Sequence, residues 1–60
     1  MNQKTVFITG ATGDIGEAIT LKFAQEGYAL GLHYHKNEEK KEILKTKLEH
    51  LNATFYFYQG

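Results

Sequence analysis

Bulky and β-branched residues are concentrated in three short runs, and polar or amphipathic stretches separate them. In the first run, Val6, Phe7 and Ile8 are followed by a glycine that ends the apolar pattern. Such runs, bounded by turn-forming residues, are typical of β-strands. The pattern predicts strands over residues 4–9, 28–34 and 54–58.

The stretch between the first two predicted strands has the periodicity of an amphipathic helix. Ile15, Ile19 and Phe23 recur every four residues, and Ala18 widens the stripe that they form. We therefore predict a helix over residues 15–26 that packs through this stripe. Gly27 supplies the stop signal, because glycine readily adopts the left-handed conformation that ends helices.

A second helix is predicted from residue 37 to about residue 51. Asn37 is a suitable N-cap, and the acids Glu38 and Glu39 fall in the first turn, where the helix dipole favours negative charge. Asn52 can end this helix. Its expected buried residues are Ile43, Leu44, Leu48 and Leu51.

Alternation of strand and helix predicts an α/β fold, with a βαβαβ unit that forms a Rossmann-type parallel sheet. Right-handed crossovers imply the strand order 3-2-1, with both helices on one face of the sheet. The strands "VFI" and "TFYFY" are apolar on both sides, as in sheets covered on both faces. We therefore expect residues 1–60 to be the N-terminal, incomplete part of a doubly wound fold, completed by a missing C-terminal half or a homo-oligomer.

Composition excludes several classes of protein and site. The chain has no cysteine, so it forms neither a disulfide framework nor a thiolate zinc site. Seven lysines balance seven acids, which gives no basic footprint for nucleic acid. The N-terminal apolar run is too short for a signal peptide or a membrane span. These features favour a cytoplasmic protein that binds neither nucleic acid nor membrane.

The segment "TGATGDIG" places three glycines between the first strand and the first helix. A helix N-terminus that follows a glycine-rich turn binds anions through its free N–H groups and its dipole. Gly10 would permit the tight turn, Gly13 the approach of a phosphate, and Gly16 close packing. A tight turn without a ligand is the alternative.

Asp14 is an unexpected residue for a loop that binds phosphate. A carboxylate in the first turn of a helix can cap N–H groups and interact favourably with the dipole. We favour this structural role over direct contact with a ligand.

These residues resemble the N-terminal part of a short-chain dehydrogenase/reductase, and the resemblance extends over essentially the whole chain. Thr9, Gly10 and Gly16 fit the T-G-x-x-x-G-x-G motif of that family, and the helix fits its "IG-AI---A-EG" pattern. Asp14 replaces the middle glycine, and Gly13 stands one place early. This spacing also fits the larger epimerase-like members, but "LHYHKN" lacks their acid at the end of the second strand. The chain looks more like the 3-oxoacyl carrier-protein reductases.

The resemblance implies a nicotinamide dinucleotide as partner, bound at the adenosine and pyrophosphate end. An acid at the end of the second strand would favour NAD by binding the ribose 2′-hydroxyl. Tyr34 stands there, and His35 and Lys36 follow, which favours NADP, although a solvated loop role competes for Lys36. The candidate cofactor-binding residues are Gly10, Thr12, Gly13, Asp14, Ile15, Gly16, Tyr34, His35 and Lys36.

The catalytic residues that the resemblance implies do not occur in these 60 residues. The chain has no serine, and none of its four tyrosines is followed by lysine four positions later. We expect the chain to continue into a carbonyl-reducing or alcohol-oxidising enzyme. The alternatives are a non-catalytic nucleotide-binding module and a structural fragment. His33 and His35 could pair on a metal, but no third ligand is near them in sequence.

Overall fold

The computed structural model describes residues 3–60 and contains the five predicted elements in the predicted order. Each boundary lies within about one residue of its predicted position. The elements are β1 (Thr5–Ile8), α1 (Asp14–Gln25), β2 (Ala29–Tyr34), α2 (Glu38–His50) and β3 (Phe55–Gln59).

The three strands form one parallel sheet with β2 in the centre. Thr5 pairs with Ala29 at the start of β1, and Leu30 pairs with Phe55 on the other side of β2. The predicted parallel α/β unit and its strand order are therefore confirmed.

The hydrophobic core lies between the sheet and the two helices. Leu30 and Leu32 of β2 are fully buried, and Leu44 and Leu48 of α2 pack in the same cluster. From α1, Ala24 is buried in this cluster, and Leu21 and Phe23 pack against it. Both helices thus cover the same face of the sheet, as right-handed crossovers require.

The predicted apolar face of α1 is partly wrong. Ile15 is 78% exposed and Ile19 43% exposed, whereas Thr20 and Ala24 are buried and Phe23 is half-buried. Small residues face the sheet because the helix lies close to the backbone beneath it. The Thr20 hydroxyl donates a 2.7 Å hydrogen bond to the carbonyl of Gly16, which satisfies its buried oxygen.

In α2 the prediction is correct for the two central leucines and wrong for the flanking residues. Ile43 and Leu51 are largely exposed. Leu44 and Leu48 form a narrow buried stripe, and Ile43 and Leu51 lie to either side of it, where they reach water.

The residues predicted to begin and end the helices are confirmed in these roles. Gly27 follows α1 with φ of +87°, and Asn52 follows α2 with φ of +56°. At the start of α2, the Asn37 side chain accepts a hydrogen bond from the backbone N–H of Lys40 at 3.2 Å. Asn37 itself has a left-handed conformation, with φ of +86°.

The sheet face opposite the helices is open and aromatic. Phe7 is 63% exposed and Tyr56 52% exposed, and both rings lie close to Gly31 between them. A Cβ at position 31 would lie 2.5 Å from the Phe7 ring, so a larger residue there would have to displace this exposed ring. Next to this row, the rings of His33 and Tyr58 are 5.3 Å apart. The sequence predicted apolar groups on this face.

Within residues 3–60, neither helix has the length and apolar character needed to cross a bilayer.

Candidate functional site

A groove of about 520 Å³ opens at the N-terminus of α1, beside the end of β1. The three glycines of the loop form part of its lining, and residues between and beside them supply the rest. The residues that line it are Thr9, Gly10, Gly13, Asp14, Ile15, Gly16 and Ile19.

The loop depends on two of its three glycines for its shape. Gly10 has φ of +64°, a conformation that disfavours side chains. A Cβ on Gly16 would collide with the carbonyl oxygen of Gly10, so α1 begins in direct contact with the turn before it. Gly13 differs, because a Cβ there would lie at an ordinary 3.4 Å from the same oxygen. Gly13 therefore leaves space that the fold itself does not need.

The first turn of α1 presents unpaired N–H groups to this groove. The N–H of Glu17 donates to the carbonyl of Gly13 at 2.8 Å, which begins the helical hydrogen bonding. The N–H groups of the three preceding residues have no acceptor within the helix. Gly13, the N-cap, has no side chain that could satisfy them. These donors and the helix dipole suit an anion.

Asp14 makes no capping hydrogen bond, so the part of the sequence interpretation that made it a cap is wrong. It is the first residue of α1, where its charge still meets the positive end of the dipole. Its side chain is 96% exposed, and its Oδ1 lies 3.5 Å from Nζ of Lys40 on α2. The acid at the groove is therefore paired with a cation that the sequence analysis did not single out.

The end of β2 lies outside the groove and holds Tyr34 in a buried cluster. Tyr34 is 6% exposed, and its hydroxyl donates a 2.8 Å hydrogen bond to Oε2 of Glu38. Nζ of Lys41 lies over the Tyr34 ring at 5.5 Å and over the Phe57 ring at 5.6 Å. The Tyr34 side chain thus packs between β2 and α2.

This cluster changes the titration of two of its members. The hydrogen bond to Glu38 raises the pKa of Tyr34 above its usual value, and burial and the Glu38 charge raise it further. Burial disfavours the charged form of the Lys41 amine. Its pKa nevertheless lies above the usual lysine value, because Tyr34, Glu38 and Glu42 face it.

His35 and Lys36 are exposed in the turn after β2. Nδ1 of His35 lies 3.0 Å from the carbonyl oxygen of Gly60, and the amide of Gln59 donates to the His35 carbonyl at 3.0 Å. These contacts fix the turn against the end of β3. His33 lies on the open face of the sheet, and residues 3–60 contain no group of three side chains suited to holding a metal ion.

The structure brings five of the nine candidate residues together in the groove and places the other four nearby. Thr12 is half-buried in the loop without lining the groove, and residues 34–36 stand at the end of the adjacent strand. A backbone hydrogen bond of 3.1 Å from Ala11 to the carbonyl of His33 ties the loop to that strand end. The two groups of candidates therefore belong to one edge of the sheet.

Sequence reasoning missed four residues that shape this region. Thr9 and Ile19 line the groove, Lys40 pairs with Asp14, and Glu38 binds the Tyr34 hydroxyl. The spacing of Ile19, one turn after Ile15, could have indicated its place. Nothing in the local sequence marks Lys40, because its partner is 26 residues away.

Comparison with known proteins gives the family. Residues 4–60 match the family described as short chain dehydrogenase. The chain belongs to this family. Membership implies a nicotinamide dinucleotide as the class of cofactor, and the strand–glycine loop–helix arrangement described above is consistent with binding the phosphates of such a molecule.

Two bacterial relatives illustrate the similarity within the family. The chain is 44% identical over 48 residues to the uncharacterized oxidoreductase YmfI of Bacillus subtilis strain 168. It is 35% identical over 46 residues to the 3-oxoacyl-(acyl-carrier-protein) reductase FabG of Staphylococcus aureus. These matches cover 80% and 77% of this chain but only 20% and 19% of those proteins.

Solved structures agree with the fold. The bulky-bulky ketone specific alcohol dehydrogenase from Comamonas testosteroni aligns with a TM-score of 0.86 and 28% identity, over 100% of this chain and 25% of its own. Acetoin dehydrogenase YohF from Salmonella typhimurium aligns with a TM-score of 0.81 at 21% identity, over 97% of this chain and 24% of its own. The chain thus spans about a quarter of either protein, and the second match shows the fold alone.

Proposed function

We propose that this chain binds the adenosine and pyrophosphate side of NADP(H) in a short-chain oxidoreductase that reduces a carbonyl or oxidises an alcohol. The observation that carries the proposal is the groove at the start of α1. It combines free backbone N–H donors with a glycine, Gly13, whose missing side chain leaves room for a phosphate. The nicotinamide would supply hydride transfer, and these residues would hold the cofactor.

A 3-oxoacyl carrier-protein substrate is the more specific form of this proposal. It is supported by the similarity to FabG, whose name states that activity. Substrate contacts would have to come from residues other than these, because the groove accounts only for the phosphate end of the cofactor. The same applies to the catalytic serine, tyrosine and lysine that the family uses.

The preference for NADP over NAD rests on the turn after β2. His35 and Lys36 are exposed there, next to the loop that Ala11 ties to the strand end, and both can carry positive charge. The Glu38 carboxylate lies nearby, but it accepts the Tyr34 hydroxyl and lies 3.8 Å from Nζ of Lys41. A 2′-phosphate would therefore meet Lys36 and the exposed edge of the His35 ring, whose Nδ1 contacts the carbonyl oxygen of Gly60, while the Glu38 carboxylate is already engaged.

Calorimetric titration of the chain with NADP⁺ and with NAD⁺ tests the proposal. We expect binding of both and tighter binding of NADP⁺. Gly13→Ala should weaken both, because its methyl group occupies the space intended for a phosphate, while Gln25→Ala at the exposed far end of α1 serves as the matched control. Failure of the chain to bind either dinucleotide would instead favour a structural fragment, and equal loss in both variants would argue against the groove.

A further inference from the structure

The carboxylate of Asp14 lines a groove that, under the proposed function, receives a diphosphate. The carboxylate and a diphosphate carry like charges, which repel each other. No backbone N–H of the first turn binds the carboxylate, and its one hydrogen-bond partner in residues 3–60 is Nζ of Lys40 at 3.5 Å. The backbone N–H donors of the groove favour binding of an anion, whereas the negative charge of Asp14 disfavours it. Some feature of the chain must offset this charge for the site to function.

Two ion pairs link α1 and α2, and they differ in where they lie. Nζ of Lys40 is 3.5 Å from Oδ1 of Asp14, at the groove. Nζ of Lys47 is 3.0 Å from Oε2 of Glu17, and neither of these residues lines the groove. The lysines are equally exposed, at 50% and 49% of their side-chain surface. Exposed pairs of this kind contribute little to folding stability.

We propose that Lys40 is a charge-compensating residue of the cofactor site, which neutralises Asp14 so that the glycine loop can accept the diphosphate. This inference rests on the proposed function and adds to it a residue from the second helix. Lys40 acts through Asp14 and positions no reacting atom. The ion pair of Lys47 with Glu17 also joins α1 to α2, so Lys40 is not needed to hold the two helices together. What Lys40 alone supplies is a positive charge beside the groove.

The chain supplies a matched control for this proposal. Lys40→Gln and Lys47→Gln each remove one pair between the same two helices and leave a side chain of similar length. Affinities for NADP⁺ and for inorganic pyrophosphate are measured by calorimetry at low salt, after circular dichroism has shown that each variant is folded. We expect Lys40→Gln to weaken binding by about fivefold. This is the effect in water of a unit charge that lies about 4 Å from another unit charge. Lys47→Gln should change it by less than about twofold.

The double variant separates compensation from direct contact. Asp14→Asn alone should tighten binding, and Asp14→Asn combined with Lys40→Gln should return the affinity to that of the wild type, because the net charge at the groove is again zero. Lys40→Arg should preserve binding. The loss in Lys40→Gln should also shrink as salt is raised.

The outcomes that oppose the proposal are distinct. If Lys40→Gln leaves the affinity unchanged, if Lys47→Gln weakens it equally, or if the double variant stays as weak as Lys40→Gln, Lys40 does not act by neutralising Asp14. If the wild-type chain binds neither pyrophosphate nor NADP⁺, the groove is not an anion site, and the proposed function fails together with this inference.

Discussion

Gly16 of α1 packs directly on the carbonyl group of Gly10, whose carbon lies 2.8 Å from the place where a Cβ at position 16 would stand. The contact fixes the start of the helix against the turn that precedes it. Two glycines six residues apart thereby set both the height of α1 above the sheet and the shape of the groove at its N-terminus.

The first prediction follows from this contact. Gly16→Ala should destabilise the chain by about 1–3 kcal/mol, because the methyl group forces α1 away from the turn, as in other overpacked sites. A chain of this size has little stability in reserve, so the variant should be largely unfolded. Urea denaturation followed by circular dichroism measures the loss.

Gly13→Ala is the matched control for Gly16→Ala, because it adds the same methyl group to the loop at a position that has room for it. Its methyl group has room, and its backbone has φ of −75°, so we expect a loss below about 1 kcal/mol, due to a poorer N-cap. Equal losses in the two variants would show that the close approach at Gly16 is not what the loop requires.

Alkaline pH should destabilise the chain through the cluster at the end of β2. The folded-state pKa of Tyr34 is raised, so its stabilising contribution is complete below the usual tyrosine value near 10 and is lost as pH rises through the folded-state value. The raised pKa of Lys41 acts in the same direction. Urea midpoints of the wild type should stay level from about pH 8 to about pH 10 and fall at higher pH, and those of Tyr34→Phe should fall less steeply. A wild-type midpoint independent of pH would contradict the cluster.

Cofactor preference should depend on Lys36. Lys36→Ala should weaken NADP⁺ binding by about fivefold and leave NAD⁺ unchanged, because only the former carries a 2′-phosphate for the lysine to meet. Calorimetry with both dinucleotides gives the ratio, and Lys45→Ala on α2 is the control. Equal effects on the two cofactors would remove the argument for NADP.

Tyr34→Asp, the substitution that the sequence alone suggests for reversing this preference, has an additional effect in the structure. It should shift the preference toward NAD, but it also places a carboxylate in a buried position next to Glu38. Burying an unpaired charge is costly. Combining it with Glu38→Gln should recover part of the lost stability while keeping the new acceptor for the ribose hydroxyl, and urea midpoints for the single and double variants test this.

The open aromatic face should make the isolated chain associate. Phe7, Tyr56 and Tyr58 are large exposed hydrophobic residues on this one face. Large contiguous apolar patches are rare on soluble monomers. Phe7→Thr with Tyr56→Thr should reduce association at micromolar concentration, as measured by analytical ultracentrifugation, and Ile43→Thr on α2 should not. A wild-type chain that stays monomeric with well-protected amides would refute the need for a cover on this face.

The sequence predicts the fold well because its signals are local. Gly27, Asn37 and Asn52 each begin or end a helix through contacts within one turn. The alternation of strands and helices is likewise visible in short stretches of neighbouring residues. The buried face of α1 could not be predicted in the same way. Periodicity selects Ile15 and Ile19 for their hydrophobicity, but the true contact face is chosen by how closely Gly16 can approach Gly10.

The candidate site divides along the same line. The glycine loop can be predicted because the glycines that permit its conformation lie close together in the sequence. The pairing of Asp14 with Lys40, and that of Tyr34 with Glu38, depends on how two helices and a strand meet in space. Charge alone could not have chosen Lys40 among seven lysines.

The parallel pairing also determines how this unit can fold. Thr5 pairs with Ala29 and Leu30 with Phe55, so each strand contact closes a loop of about 24 residues that contains a complete helix. Residues 3–60 contain no β-hairpin that could form as an early local step. The folding chain must therefore close two long loops, at a cost in conformational entropy, before the contacts of the sheet can offset that cost. This slows folding relative to a helical bundle of the same length. On a ribosome, the central strand β2 would wait with one edge unpaired until residues 55–59 had been synthesised and released from the exit tunnel.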